Sequence, residues 1–203
     1  MCDGLCVLRD GLSPSTIRDA APMTPAMTDD ELMARIAGGD EDAFRDLVLR
    51  WERRVYAFFF RCLGSREDAE DLAQETFVRI FRSAGRYRAR GSFPSYLFRI
   101  AGNLYRNEVR RRRRRPQPRL ETVAQNGDRP DVALERRELA QAVRAAISHL
   151  PDRQQIAVIL RRYEGLTYQE IADALGTSIP AVESLLHRAS RSLREALKDQ
   201  VGP

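Results

Sequence analysis

Eleven arginines and a single acid, Glu108, fall between Arg86 and Arg115, and among them stand Tyr87, Phe93, Tyr96, Phe98 and Tyr105. Guanidinium groups donate to phosphate oxygens and flat aromatic faces accept unstacked bases, so this block suits the holding of a nucleic-acid strand rather than bond making. From Phe93 onward, Leu97, Ile100, Ala101 and Leu104 recur at helical spacing and predict a buried stripe. At roughly 100° per residue, Tyr96, Arg99, Asn103, Arg106 and Arg110 fall on another side, free to bind. The run Arg110 to Arg115 suits salt-sensitive phosphate contacts and equally suits a solvated helix end. Tyr87 and Phe93 serve equally well as core.

A second constellation has sharper geometry. Ala172, Gly176 and Val182 are spaced as the packing points of a helix-turn-helix: a small residue where two helices approach, a glycine in the turn, and an aliphatic between the helices. Thr167 with Glu170 forms a capping box ahead of the first helix. The second helix, from about Pro180 to Leu197, would enter a major groove with Ser184, His187 and Arg188 outermost. An ordinary helical hairpin has the same spacing; the separate basic helix favours DNA binding.

The third surface is acidic. On a helix from Arg66 to Arg82, the stripe Ala69, Leu72, Ala73, Thr76, Phe77, Ile80 and Phe81 packs inward, leaving Asp71, Gln74, Glu75 and Val78 outside. The helix dipole accounts for acids in the first turn, from Glu67 to Asp71, but not for Gln74 and Glu75, which suit a docking site.

Nothing in the chain assembles an enzyme. The two histidines, His149 and His187, stand apart from Cys2, Cys6 and Cys62, and there is no glycine-rich phosphate loop or nucleophile motif. No catalysis, metal or cofactor is expected. Three cysteines without a leader-like start point to a reducing cytoplasm. The longest apolar cluster, Tyr56 to Phe60, falls far short of the roughly 20 residues that span a membrane, so no membrane insertion is expected. The charge is uneven: residues 1–85 carry 11 basic and 16 acidic side chains, 86–115 carry 11 and 1, and 116–203 carry 12 and 12, for nets of −5, +10 and 0. A phosphate-rich partner is implied for the middle block.

These surfaces require helices to position them. Residues 1–27 lack periodicity and are expected to be disordered, with Met23 and Met27 as alternative starts. Thr28 and Glu31 cap a short helix that ends at Gly38 and Gly39. The next helix, Glu41 to Leu63, aligns Phe44, Leu47, Val48, Trp51, Val55, Phe58 and Phe59 and stops at Gly64, after which Ser65 and Asp68 make another capping box. Residues 116–133, with three prolines and an Asn-Gly pair, read as a flexible linker. Helices over Leu134 to Leu150 and Pro151 to Tyr163 lead to the helix-turn-helix. The expected fold is all-α: two small helical domains, 28–115 and 134–199, joined by that linker.

The segments DAEDLAQETFVRIF, GSFPSYLFRIAGN and LPDRQQIAVILRRYEGLTYQEIADALGTSIPAVESLLHRA closely resemble regions two and four of the extracytoplasmic-function sigma factors, over residues 28–115 and 134–197. The resemblance implies a bacterial transcription initiation factor. Asp71, Gln74 and Glu75 would dock on the clamp coiled coil of the polymerase beta-prime subunit. The segment Arg86 to Arg110 would open the minus-ten element, with Arg88 among its DNA contacts and Arg90, Gly91 and Ser92 in the loop that captures a flipped base. The helix-turn-helix would read the minus-thirty-five element through Glu183, Ser184, His187 and Arg188 and lean on the beta flap. Promoter DNA, core polymerase and an anti-sigma factor are the implied partners. Glu183 and Leu185 stand where relatives usually carry positive charge, which implies weaker or altered upstream contact. Region three is absent, and no fused regulatory domain is expected because the chain ends six residues after Leu197. Two readings compete: a sigma mimic that sequesters an anti-sigma factor without touching DNA, which would not need the basic block, and an arginine-rich RNA-binding protein, which would show strand alternation.

Overall fold

A computed structural model describes residues 27–89, 92–114 and 132–198, the side chains of 132–138 excepted. Eight α-helices and one short 3-10 turn, Ala84–Arg86, make up the regular structure of these residues: α1 (Asp29–Ala37), α2 (Glu41–Leu63), α3 (Arg66–Ser83), α4 (Phe93–Arg114), α5 (Val132–Ser148), α6 (Asp152–Arg162), α7 (Tyr168–Leu175) and α8 (Ile179–Ala196). Residues 1–26 and most of the expected linker lie outside the described residues. Val132 and Ala133, expected in the linker, already belong to α5.

The helix boundaries follow local chemistry. Thr28 and Thr167 each exchange hydrogen bonds with a glutamate three residues on, completing the capping boxes of α1 and α7. Ser65 makes only half of its expected box. Its side chain accepts from the Asp68 N–H, but the Asp68 carboxylate pairs with Arg112 of α4 at 2.6 Å. Gly64 and Gly176 close α2 and α7 at φ of 72° and 59°, a left-handed turn that costs any L side chain about 1–2 kcal/mol.

Helices α1 to α4 form one bundle around Leu47, Trp51, Val55, Phe58, Phe59 and Phe98, all buried. Trp51 sets its ring against Phe93 and Phe98, with centroids at 5.6 and 6.4 Å, and donates its indole N–H to Asp29 at 3.1 Å. Helices α6, α7 and α8 pack through Ile156, Ile159, Leu160, Ile171, Leu175 and Val182. The two groups share one continuous core, with α4 against α7 and α2 against α5 and α6.

This packing enlarges the buried surface of α4. Phe93, Leu97, Ala101 and Leu104 are buried as expected and Ile100 is half-buried, but Ser95, Phe98, Gly102, Tyr105 and Glu108 are buried as well. A Cβ on Gly102 would lie 3.7 Å from Ile156 Cδ1, so the missing side chain brings α6 close. Phe81 departs in the other direction. The stripe of α3 is expected to bury it, yet it is 46% exposed, resting against Phe44 of α2 with ring centroids 5.0 Å apart.

Candidate nucleic-acid interface

The loop that follows α3 and the first turns of α4 enclose a pocket of about 240 Å³, lined by Arg86, Tyr87, Arg88, Ser92, Ser95, Tyr96, Arg99 and, from α7, Asp173. Its walls are braced from behind. The Tyr96 and Ser83 hydroxyls are 2.6 Å apart, the Tyr87 ring meets Tyr96 edge-on at 4.8 Å, and Arg99 lies 5.6 Å from the Tyr96 centroid. The Tyr87 hydroxyl donates to Asp30 of α1. Burial, reinforced by that hydrogen bond and charge, raises the Tyr87 phenol above its ordinary range, so it remains a neutral donor. Arg88 donates to the Tyr87 carbonyl at 2.9 Å, and the hydroxyls of Ser92 and Ser95 are 2.9 Å apart. Arg90 and Gly91 lie outside the described residues.

Further along α4, Arg99, Asn103 and Arg110 are exposed and Tyr96 and Arg106 half-buried, so the five residues predicted to share a face do so, with unequal access. Arg106 donates to the Asn103 side-chain oxygen. Burial, together with the nearby Arg153 and Arg110, lowers the Arg106 pKa against the opposing effect of Asp152. The arginine run divides by role. Arg111 and Arg112 both grip Glu108, at 2.7 Å each, and Arg113 reaches Asp152 of α6 at 3.0 Å. The Arg111 hydrogen bond, with that from Arg112, outweighs burial and holds the Glu108 carboxyl below its usual range. Among the described residues, Arg110 and Arg114 make no ion pair.

On α3, Asp71 and Gln74 are exposed, and Glu75 is half-buried and bridged to Arg79 at 2.7 Å. Val78 and Phe81, both partly solvent-facing, extend this acidic face into an apolar margin that the periodicity of α3 assigned to the core in the case of Phe81. On α8, Glu183, Ser184, His187 and Arg188 are exposed around an open depression, with Arg188 donating to the Ser184 carbonyl at 3.2 Å. Val182 and Ala172 are buried and Gly176 makes the turn, so the three packing points of the helix-turn-helix are in place. Leu185 is half-buried against the core and does not share the outer face with Glu183. Its apolar character therefore answers to packing.

Sequence reasoning missed a set of polar residues between the two helical groups. Gln155, 1% exposed, accepts from the Tyr105 hydroxyl and donates to the Cys62 carbonyl at 3.1 Å. Glu164, its side chain 3% exposed, takes Arg54 at 2.9 Å and lies 3.6 Å from Arg61. These partners are 50 to 110 residues apart, beyond the reach of any periodicity. Cys62 itself is buried, which pushes its thiol well up and leaves it a packing residue. Among the described residues, no three histidine, cysteine or acidic side chains cluster as a metal site, and no helix is long and apolar enough to cross a membrane.

Known families match both halves. The model of Sigma-70 region 2 covers residues 47–115 and that of Sigma-70 region 4 covers 140–193. The chain is 32% identical to the RNA polymerase sigma-H factor of Pseudomonas aeruginosa over 182 residues, 84% of this chain and 94% of that protein. The chain belongs to the extracytoplasmic-function sigma factors. The ECF RNA polymerase sigma-E factor of Haemophilus influenzae is likewise 32% identical over 193 residues, spanning 89% of this sigma factor and 99% of its relative. Among solved structures, CnrH in complex with the cytosolic domain of CnrY superposes with a TM-score of 0.64 at 27% identity, covering 85% of this chain and 99% of that one. This sigma factor is thus an alternative transcription initiation factor that binds core RNA polymerase and promoter DNA, from a family of non-enzymatic subunits. That membership displaces the readings of a mimic and of an RNA-binding protein.

Proposed function

We propose that the two groups of helices divide initiation between them: α3 grips core polymerase, the pocket at the start of α4 captures the opened minus-ten strand, and α8 contacts the minus-thirty-five element. The observation that carries this reading is the braced pocket, in which Arg86, Arg88 and Arg99 surround two tyrosine rings in a space of about 240 Å³. Flipping a base out of the duplex costs a few kcal/mol, which a fitted cavity with flanking phosphate ligands can offset. Arg88, Ser92, Tyr96 and Arg99 form this pocket, with Arg90 assigned by resemblance alone. Asn103, Arg106 and Arg110 continue the track along α4, Asn103 toward base edges and Arg110 toward phosphate.

Asp71, Gln74 and Glu75 meet the beta-prime clamp coiled coil, with Val78 and Phe81 supplying apolar area beside them. Glu183, Ser184, His187 and Arg188 lie toward the major groove, and their helix leans on the beta flap. The protein does no chemistry of its own, takes no cofactor and acts beside the polymerase in the cytoplasm. Because CnrH, of the same fold, forms a complex with the cytosolic domain of CnrY, we assign this sigma factor an inhibitory protein partner of the anti-sigma kind.

Permanganate footprinting of core polymerase plus this protein on a responsive promoter tests the proposal. Unpaired thymines confined to the minus-ten element, lost on Arg99→Ala together with Tyr96→Ala, are the expected result. Melting that survives the double substitution would remove α4 from the mechanism. In a pull-down, Gln74→Ala with Glu75→Ala should weaken core binding about tenfold or more without altering the fold.

A further inference from the structure

Two neighbouring acids at the start of α1 serve different ends. Asp29 fastens α1 to α2: it accepts the Trp51 indole N–H at 3.1 Å and Arg50 at 2.8 Å, and Arg50 also donates to the Met27 carbonyl at 2.9 Å. Leu32, Met33 and Ile36 bury the inner face of the helix, and Thr28 with Glu31 caps it. The attachment of α1 is therefore complete without Asp30. Asp30 is exposed, and among the described residues its carboxylate has one hydrogen-bond partner, the Tyr87 hydroxyl, 57 residues along the chain.

Tyr87 is the pocket wall that most needs such a partner. It closes the 3-10 turn, its N–H donating to the Ala84 carbonyl at 3.0 Å, and its half-buried ring meets Tyr96 and Phe93 edge-on at 4.8 and 6.2 Å. Edge-on pairs are favourable over a range of about 4.5–7 Å, so ring contacts alone leave the tilt of Tyr87 loosely set. A hydroxyl tied to a carboxylate sets it, because charge-assisted hydrogen bonds are shorter and stronger than neutral ones. The second ring is held in the same manner: the Ser83 hydroxyl is committed to the Arg79 carbonyl, so Tyr96 is the donor in their contact. Each ring is thus anchored at its hydroxyl to a helix that does not line the pocket, Tyr96 to α3 and Tyr87 to α1.

We propose that Asp30 is a positioning residue for base capture: through the Tyr87 hydroxyl it fixes the angle at which that ring meets Tyr96, and so the shape of the pocket that receives a flipped base. The phenol, raised by burial and by Asp30, stays protonated as the donor this tie requires. A carboxylate near a strand repels phosphate, so Asp30 adds nothing to general DNA affinity. Its benefit is confined to a strand that carries a base in the pocket. That difference in sign separates positioning from mere support of the fold.

Because this role rests on the proposed capture of the minus-ten strand, the test includes a variant of the pocket itself. Core polymerase carrying the full chain is titrated with a fluorescent single strand bearing the non-template minus-ten sequence of a strongly transcribed promoter, and with the same strand made abasic at each position in turn. The abasic position that weakens wild-type binding most marks the captured base. Asp30→Ala and Tyr87→Phe should each weaken the intact strand about fivefold, leave the strand lacking the captured base unchanged or slightly tighter, and together do no more than either alone. Asp30→Asn, which keeps an acceptor, should stay within about twofold of wild type. Asp29→Ala should lower the melting temperature in circular dichroism and weaken both strands alike. Tyr87→Phe removes only a hydroxyl and carries the test if Asp30→Ala fails to fold. Equal weakening of both strands by Asp30→Ala, additive effects of Asp30→Ala and Tyr87→Phe, or the same base-dependent loss from Asp29→Ala would overturn the role of Asp30. If Tyr96→Ala with Arg99→Ala abolishes the difference between the strands while Asp30→Ala and Tyr87→Phe preserve it, Asp30 is refuted and the pocket stands. If the pocket variant preserves that difference as well, the pocket assignment fails and the role of Asp30 with it.

Discussion

Helices α4 and α8, the two to which we assign the DNA contacts of this sigma factor, are built in opposite ways. Nine residues of α4 are buried, from Phe93 to Glu108, and its exposed side chains rise from a braced floor. Helix α8 buries only Val182 and Ala189, and Arg188 steadies itself on the Ser184 carbonyl of its own helix. The first helix lies in a stretch of net charge +10, the second in one of net 0. A strand that must be unpaired and held needs a rigid, cationic cavity, because the cost of unstacking is recovered only by contacts already in place. A duplex groove offers its edges without deformation, and a lightly anchored helix can read it with few contacts.

The two helices should differ most when the core beneath each is weakened. Phe98 is buried against Phe58 and Trp51, and Phe98→Ala should cost about 3–5 kcal/mol in urea unfolding and collapse the pocket with it. Val182→Ala should cost about 2 kcal/mol and leave minus-ten binding untouched. Equal losses of minus-ten binding in the two variants would mean that α4 owes nothing special to its floor.

A smaller effect concerns pH. Hydrogen bonds from Arg111 and then Arg112 depress the folded-state pKa of Glu108. A depressed carboxyl stabilises the fold fully above its unfolded pKa, near 4.3, and that contribution disappears as pH falls through the lower folded value. At Asp68 burial works to raise the pKa, but Ser65 and Arg112 outweigh it and leave it lowered, so both acids act in the same direction. Glu108→Gln should therefore lower the melting temperature at neutral pH and flatten its fall below about pH 4.3. An unchanged acid limb would show that the Arg111–Arg112 grip is not maintained in solution.

The smallest effect divides the arginine run. Arg110→Ala should lower the salt slope of DNA binding by about one, the mark of a phosphate contact. Arg111→Ala should lower it much less, since Glu108 already neutralises that charge. Identical slopes would return the run to a uniform cationic tail.

Much of this was legible from the order of residues alone. Capping boxes at Thr28 and Thr167, the stop at Gly64, and the Ala172, Gly176 and Val182 spacing depend on neighbours within a few residues, and the folded chain repeats them. The exposed face of α4 was legible for the same reason. What escaped was tertiary. Ser95, Gly102 and Tyr105 give no apolar signal, and only the docking of α6 and α7 buries them. Leu185 looked like a missing charge until its packing against the core was visible. Phe81 matched the α3 stripe in phase, but its contact with Phe44 of α2 leaves it 46% exposed.

We assign base discrimination at the minus-ten element to α4 alone and leave α8 at most a few upstream contacts, and sequencing of transcripts tests this division most directly. Core polymerase with this sigma factor would transcribe a promoter library randomised across both elements. Asn103→Ala should erase preference at one or two minus-ten positions, worth about 1–3 kcal/mol each, while overall output from the best sequences falls little. Glu183→Lys should raise output across upstream sequences if Glu183 repels phosphate, or abolish preference at one upstream base pair if it accepts from a cytosine amino group. Either outcome leaves the minus-ten preferences intact. Minus-ten preferences that survive Asn103→Ala unchanged, or that shift with Glu183→Lys instead, would contradict the claim.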